Sequence, residues 1–95
     1  MVKTRPYDSA EYLDSPEALA EYLSEALETN DAAFIAQAIG TAARARGMTE
    51  IAREAGVSRE NLYRSLSGQT KPEFETIIRV LAALGVQLAA KPTAA

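Results

Sequence analysis

"IAREAGVSRENLYRSLSGQTKP", Ile51 to Pro72, decides how the rest of the chain reads. Two short helices that cross steeply need a small residue where one passes over the other, and Ala52 supplies it. The turn between them needs a residue that tolerates positive φ, and Gly56 stands four positions later. Val57 fills the corner, Ser58 caps the second helix, and Ile51, Ala55 and Leu62 pin the pair to a core. What is left on the second helix is Arg59, Glu60, Asn61, Tyr63, Arg64 and Ser67. A core needs none of that polarity. Guanidinium groups suit guanine edges or phosphates, and amide and hydroxyl groups suit base edges and backbone. The stretch therefore reads as a helix-turn-helix whose second helix faces DNA. An ordinary helical hairpin with a solvated face is the alternative.

The flanks predict three further helices. Ser15 as N-cap, Pro16 at the first helical position and Glu17 in the first turn open one of them. Ala18, Leu19, Tyr22, Leu23, Ala26 and Leu27 form its apolar stripe, and it ends near Thr29-Asn30. Asp31 caps the next, which runs to Arg46 and stops at Gly47. Phe34, Ile35, Ala38, Ile39 and Ala42 are its expected buried side, and Ala36, Gly40 and Ala43 allow close approach. Thr49 is expected to open the first helix of the quoted pair, Glu50 to Ala55, and Ser58 the second, Arg59 to Ser67. Gln69-Thr70-Lys71-Pro72 is a polar loop. A last helix from about Glu73 to Leu84 is expected to bury Phe74, Ile77, Ile78 and Leu81, with Gly85 as its left-handed stop. Val86 to Ala90 is a candidate short strand, and Val2 to Tyr7 an extended arm or edge strand. The fold class is all-α: residues 1–30 form an arm and helix packed on a DNA-binding unit of residues 31–90, with a frayed tail at 91–95.

Composition narrows the chemistry. Ninety-five residues, 47% apolar and 24% charged, suit one globular domain. The chain has no cysteine, histidine or tryptophan, which removes disulfides, thiol chemistry, the commonest general base and most transition-metal sites. No Gly-rich phosphate loop is present, so neither a catalytic site nor a cofactor or metal is expected. No apolar run approaches a membrane span, and Met-Val-Lys-Thr lacks a signal-peptide core, so the expected compartment is the cytoplasm. The net charge of −3 hides an asymmetry: Met1 to Ile39 holds two basic and eight acidic residues, Gly40 to Ala95 eight basic and five acidic. The resulting charges of −6 and +3 hint at two kinds of partner.

Gly47 to Gly85 resembles the Xre-type, lambda-repressor-like helix-turn-helix family, including the "SGQTKP" loop. More narrowly, "ARARGMTEIAREAGVSRENLYRSLSGQTKPEFETIIRVLAALGVQL" and the acidic "PYDSAEYLDSPEALAEYLSEALETND" are similar to HigA-like addiction-module antidote proteins, paired with RelE/HigB-type toxins. The resemblance implies a homodimer that binds double-stranded operator DNA, represses its own operon and neutralises a basic toxin. It places Ser58, Arg59, Glu60, Tyr63, Arg64 and Ser67 against bases and backbone, and Thr70 and Lys71 in a phosphate-contacting loop; Thr49 and Asn61 complete the expected DNA-binding set. One departure is Ser65, three residues after Leu62, where Xre-type helices usually carry a large apolar residue. A stand-alone phage-type repressor without a toxin partner, or a helical adaptor that has lost DNA binding, are the rival readings.

Three features keep two readings each. Arg44 and Arg46 close a helix, where cations favour the dipole, but they could equally meet phosphates. Tyr22 suits the core better than a contact. Glu17, Glu21 and Glu25 lie at i, i+4, i+8 with no cation interleaved, and Glu28 is close by. Such a stripe is either a solubilising face or a toxin-docking surface, and the toxin reading rests on the family resemblance.

Overall fold

The computed structural model describes residues 13–93, and these form five α-helices. Each starts or stops on a local signal. Helix α1 spans Pro16–Glu28, with the Ser15 hydroxyl accepting from the Ala18 N–H at 3.1 Å. Helix α2 spans Ala32–Arg46, where an Asp31 carboxylate oxygen accepts from the Phe34 N–H at 3.2 Å. Helices α3, Met48–Ala55, and α4, Arg59–Ser65, are the quoted pair, and α5 spans Phe74–Leu84. Three boundaries differ from the sequence expectation. Helix α3 begins at Met48 with Gly47 at its cap, so Thr49 lies inside the helix and caps nothing. Helix α4 stops at Ser65 because Leu66 leaves the helical region to reach the core. Glu73 is extended at the N-cap position of α5, with no side-chain cap bond, instead of belonging to the helix.

The core gathers one face from each helix: Leu19 and Leu23, Ile39 and Ala42, Ile51 and Ala55, Leu62, and Val80 with Leu84, all buried. Helix α3 is the hub, packing on α2, α4 and α5, while α1 packs on α2. Close approach is needed where α2 passes the end of α4. A Cβ on Gly40 would sit 3.1 Å from the Leu66 carbonyl oxygen and 3.2 Å from its Cβ, so only glycine fits without a shift. Leu66 thus supplies the bulk that Ser65 lacks, and Ser65 is itself buried.

Several expected core residues are not in the core. Phe34 is 48% exposed, Phe74 69%, Ile78 40% and Leu27 38%. The helical period explains Phe34: at about 100° per residue it lies roughly 140° from Ile39, the centre of the buried arc. Ile78 is similarly turned about 120° from Leu84, and Phe74 starts α5 at the edge of the packed layer. Val80 and Leu84, absent from the expected stripe, are fully buried in their place.

Val86 to Ala90 is not a strand. The Gly85 and Val86 N–H groups donate back to Ala82 and Leu81 carbonyls, both at 3.0 Å, and this turn lays Val86 and Leu88 half-buried on the core. No strand lies beside the segment among the described residues, and a lone strand has no ladder to join. Val2 to Tyr7 lies outside the described residues.

Candidate nucleic-acid interface

The α3–α4 turn holds its shape through the backbone. Gly56 sits at φ +78°, its N–H donates to Arg53 at 3.2 Å, and the Val57 N–H reaches the Ala52 carbonyl at 3.0 Å. A Cβ at Gly56 would meet only the Arg79 guanidinium, at 3.8 Å, so left-handed backbone and not lack of space demands glycine. Ser58 then caps α4, its hydroxyl accepting from the Asn61 N–H at 3.0 Å. Leu62, fully buried, anchors the helix from below.

The opposite side of α4 is open to solvent. Arg59, Glu60, Tyr63 and Arg64 are exposed, and Asn61 is half-buried. The Arg59 guanidinium stands 5.6 Å over the Tyr63 ring, within cation–π range. Arg64 donates to the Asn61 side-chain oxygen at 2.9 Å. Each arginine is therefore held by a neighbour on the same face, which lowers the entropy lost when it meets a partner.

The loop after α4 is built on one carbonyl. The Ser67 and Thr70 hydroxyls both donate to the Arg64 backbone oxygen at 3.0 Å, and the Ser67 hydroxyl accepts from the Gln69 N–H at 3.1 Å. These two expected contact residues thus shape the loop, whereas exposed Lys71 has no ion-pair partner among the described residues. Gln37 of α2 pins the loop by donating to the Ser67 carbonyl at 3.1 Å. Nothing in its sequence context signals that role, because the partner lies 30 residues away.

Beside α4 lies a depression of about 540 Å³ lined by Arg44, Arg46, Thr49, Arg53, Arg59 and Tyr63, among others. It opens at the first turn of α3, which has no side-chain cap. Four guanidiniums line it against one carboxylate, Glu50, in the first turn of α3, so the surface carries a net positive charge suited to anions. Arg53 was not among the residues expected there; its exposed pairing with Glu50 at 3.4 Å is weak. Arg46 has a second task, donating to the Leu84 carbonyl at 3.0 Å and so closing α5, while Arg44 donates to the Thr41 hydroxyl at 3.2 Å.

Glu17, Glu21, Glu25 and Glu28 are all exposed on α1, away from this surface in sequence. Glu28, next to that stripe, is paired with Lys91 at 3.1 Å, 63 residues away in sequence. Tyr22 is half-buried against the core. Among the described residues no group of three or more carboxylates could hold a metal ion, and no helix is long and apolar enough to cross a membrane.

A protein of Haemophilus influenzae (strain ATCC 51907 / DSM 11121 / KW20 / Rd), described only as uncharacterized, is 46% identical over 83 residues, spanning 87% of this chain and 86% of its own length. No solved structure matches. Residues 3–92 match the family described as "Probable addiction module antidote protein". With nearly its whole length matched, the chain belongs to the addiction-module antidote family, and a toxin partner is implied in general.

Proposed function

We propose that this antitoxin binds operator DNA as a homodimer through α4, represses its own operon and neutralises a basic toxin of the RelE/HigB kind. The observation that carries the DNA reading is the preorganised outward row of α4, Arg59 on Tyr63 and Arg64 on Asn61, beside the arginine-lined depression. Buried Leu62 and the Ser58 cap hold the helix, so these side chains need no role in stability. In this reading Arg59 and Arg64 address base edges or flanking phosphates. Thr49 at the open start of α3, and Lys71 in the loop, hold the sugar-phosphate backbone. One seven-residue helix covers few base pairs, so affinity comes from two copies about 34 Å apart on a palindrome. Ile78 and Ala82, exposed on α5, offer the second copy a surface; Val86 and Leu88 are already drawn toward the core. Neither catalysis nor a cofactor is needed.

A gel shift with the chain's own upstream DNA, at fixed salt and with light scattering alongside, tests this. Retardation of that fragment over scrambled DNA, by a dimer, is expected. Equal retardation of both, or a monomer at micromolar concentration both free and on DNA, would refute it.

A further inference from the structure

We infer that Arg44, on α2, is the phosphate-binding residue of the depression between α2, α3 and α4, gripping one phosphodiester of the DNA backbone that runs beside α4. This rests on the DNA reading and adds to it a residue from outside the helix-turn-helix. Two arginines close α2, and the structure divides two tasks between them. Arg46 is committed to the protein, its guanidinium donating to the Leu84 carbonyl at 3.0 Å in a partly buried bond. Arg44 is not. Its Nη2 donates to the Thr41 hydroxyl at 3.2 Å, and its Nη1 lies 3.5 Å from where a Cβ on Gly40 would stand. The side chain thus folds back toward the N-terminus of α2, over the preceding turn. A cation set back there does not cap the last carbonyls of the helix, so the dipole does not account for it.

The position is held by a relay. The Thr41 hydroxyl donates its one hydrogen to the Gln37 carbonyl at 3.1 Å, which leaves its lone pairs to accept from Arg44. Of the four guanidiniums in the lining, the other three have partners of their own. Arg46 has the Leu84 carbonyl, Arg53 has Glu50 at 3.4 Å, and Arg59 lies over the Tyr63 ring at 5.6 Å. Arg44 has only a neutral hydroxyl, and no carboxylate pairs with it among the described residues. Its charge is therefore uncompensated while its place is fixed. A planar guanidinium with free N–H groups matches two oxygens of a phosphate. The carboxylate in the lining, Glu50, is answered by Arg53 on its own helix.

The neighbours say which phosphate. Arg59 and Tyr63 belong both to the outward row of α4 and to this lining, so a duplex laid on α4 carries its backbone past the depression. Such a contact positions the protein and reads no sequence.

The test titrates the full chain against its upstream DNA and against a scrambled duplex of equal length, from about 0.05 to 0.2 M salt. Arg44→Ala should weaken both by the same factor, about fivefold to tenfold, and lower the slope of log affinity against log salt by about one for each copy bound. Arg44→Lys keeps the charge but not the fork, so the slope should stay while affinity falls about threefold. Thr41→Val keeps the shape without the hydroxyl and should cost about twofold to threefold on both duplexes, again at unchanged slope. Arg44 is exposed, so its variants should unfold in urea at the wild-type midpoint. An unchanged slope with affinity within about twofold of wild type in Arg44→Ala overturns the assignment. So does a loss confined to the upstream DNA, which would make Arg44 a base reader, or a lowered midpoint with binding intact, which would make it a stabilising cation. A wild-type chain that retards neither duplex sinks the DNA reading and this seat together. Equal wild-type binding to both duplexes refutes operator recognition alone, and the Arg44→Ala loss of slope would still uphold the seat.

Discussion

Arg59 and Arg64 illustrate how one helical face can be prepared before any partner arrives. Asn61 fixes Arg64 and Tyr63 fixes Arg59, so truncating either arginine should cost about 1–3 kcal/mol of specific operator binding, with the unfolding midpoint unmoved. Asn61→Ala should weaken the same binding by a smaller amount, since Arg64 would then have to be ordered on contact. Competition titrations at fixed salt check both; wild-type affinity in the two arginine variants would remove α4 from the interface. Gly56 is the contrasting residue, because its contribution is to the backbone alone. Gly56→Ala puts a side chain at φ +78° where the space is ample, so the expected loss is about 1–2 kcal/mol in urea unfolding.

At the scale of elements, α4 is too short to stand alone. Seven residues are far below the length at which isolated helices persist, so its cap and its anchor decide whether it forms. Ser58→Ala should cost about 1 kcal/mol of global stability. It should also weaken operator binding beyond that of a surface control such as Glu54→Ala, because the frayed turn carries Arg59. Urea unfolding and anisotropy titration read the two effects separately, and an unchanged unfolding midpoint would show that the cap bond at 3.0 Å is idle. Several element boundaries were legible from local signals, the Ser15 and Asp31 caps and the Gly56 and Gly85 stops, though the local signal of Thr49 was misleading because α3 starts at Met48 behind Gly47. Others were not, where a tertiary pull intervened, as at Leu66, drawn out of α4 to meet Gly40.

Across the whole molecule, the acidic helix is also part of the core. Leu19, Leu23 and Ala26 are buried, so removing residues 1–30 should lower the melting temperature as well as abolish toxin capture. Circular dichroism must therefore accompany any truncation experiment. Substituting Glu17, Glu21 and Glu25 by Lys leaves that core intact and should slow toxin association while flattening its salt dependence. Stopped-flow association at two ionic strengths reads it, and an unchanged rate would confine those carboxylates to solubility.

Period, caps and turn residues are local properties of the chain, and the sequence by itself was enough for five helices, the α3–α4 turn and the outward polarity of α4. Which apolar residues stay outside was decided by the arc of each helix that the tertiary structure buries. Phe34, Phe74, Ile78 and Leu27 have the hydrophobicity of core residues, and they lie at the surface because Ile39 and Leu84, not they, centre the buried arcs of α2 and α5 and α1 buries Leu19, Leu23 and Ala26. The same holds for partners far apart in sequence: Gln37 with the Ser67 carbonyl, Arg46 with Leu84, Lys91 with Glu28. A side chain's chemistry says what it can bind, but the packing of helices determines what comes within reach.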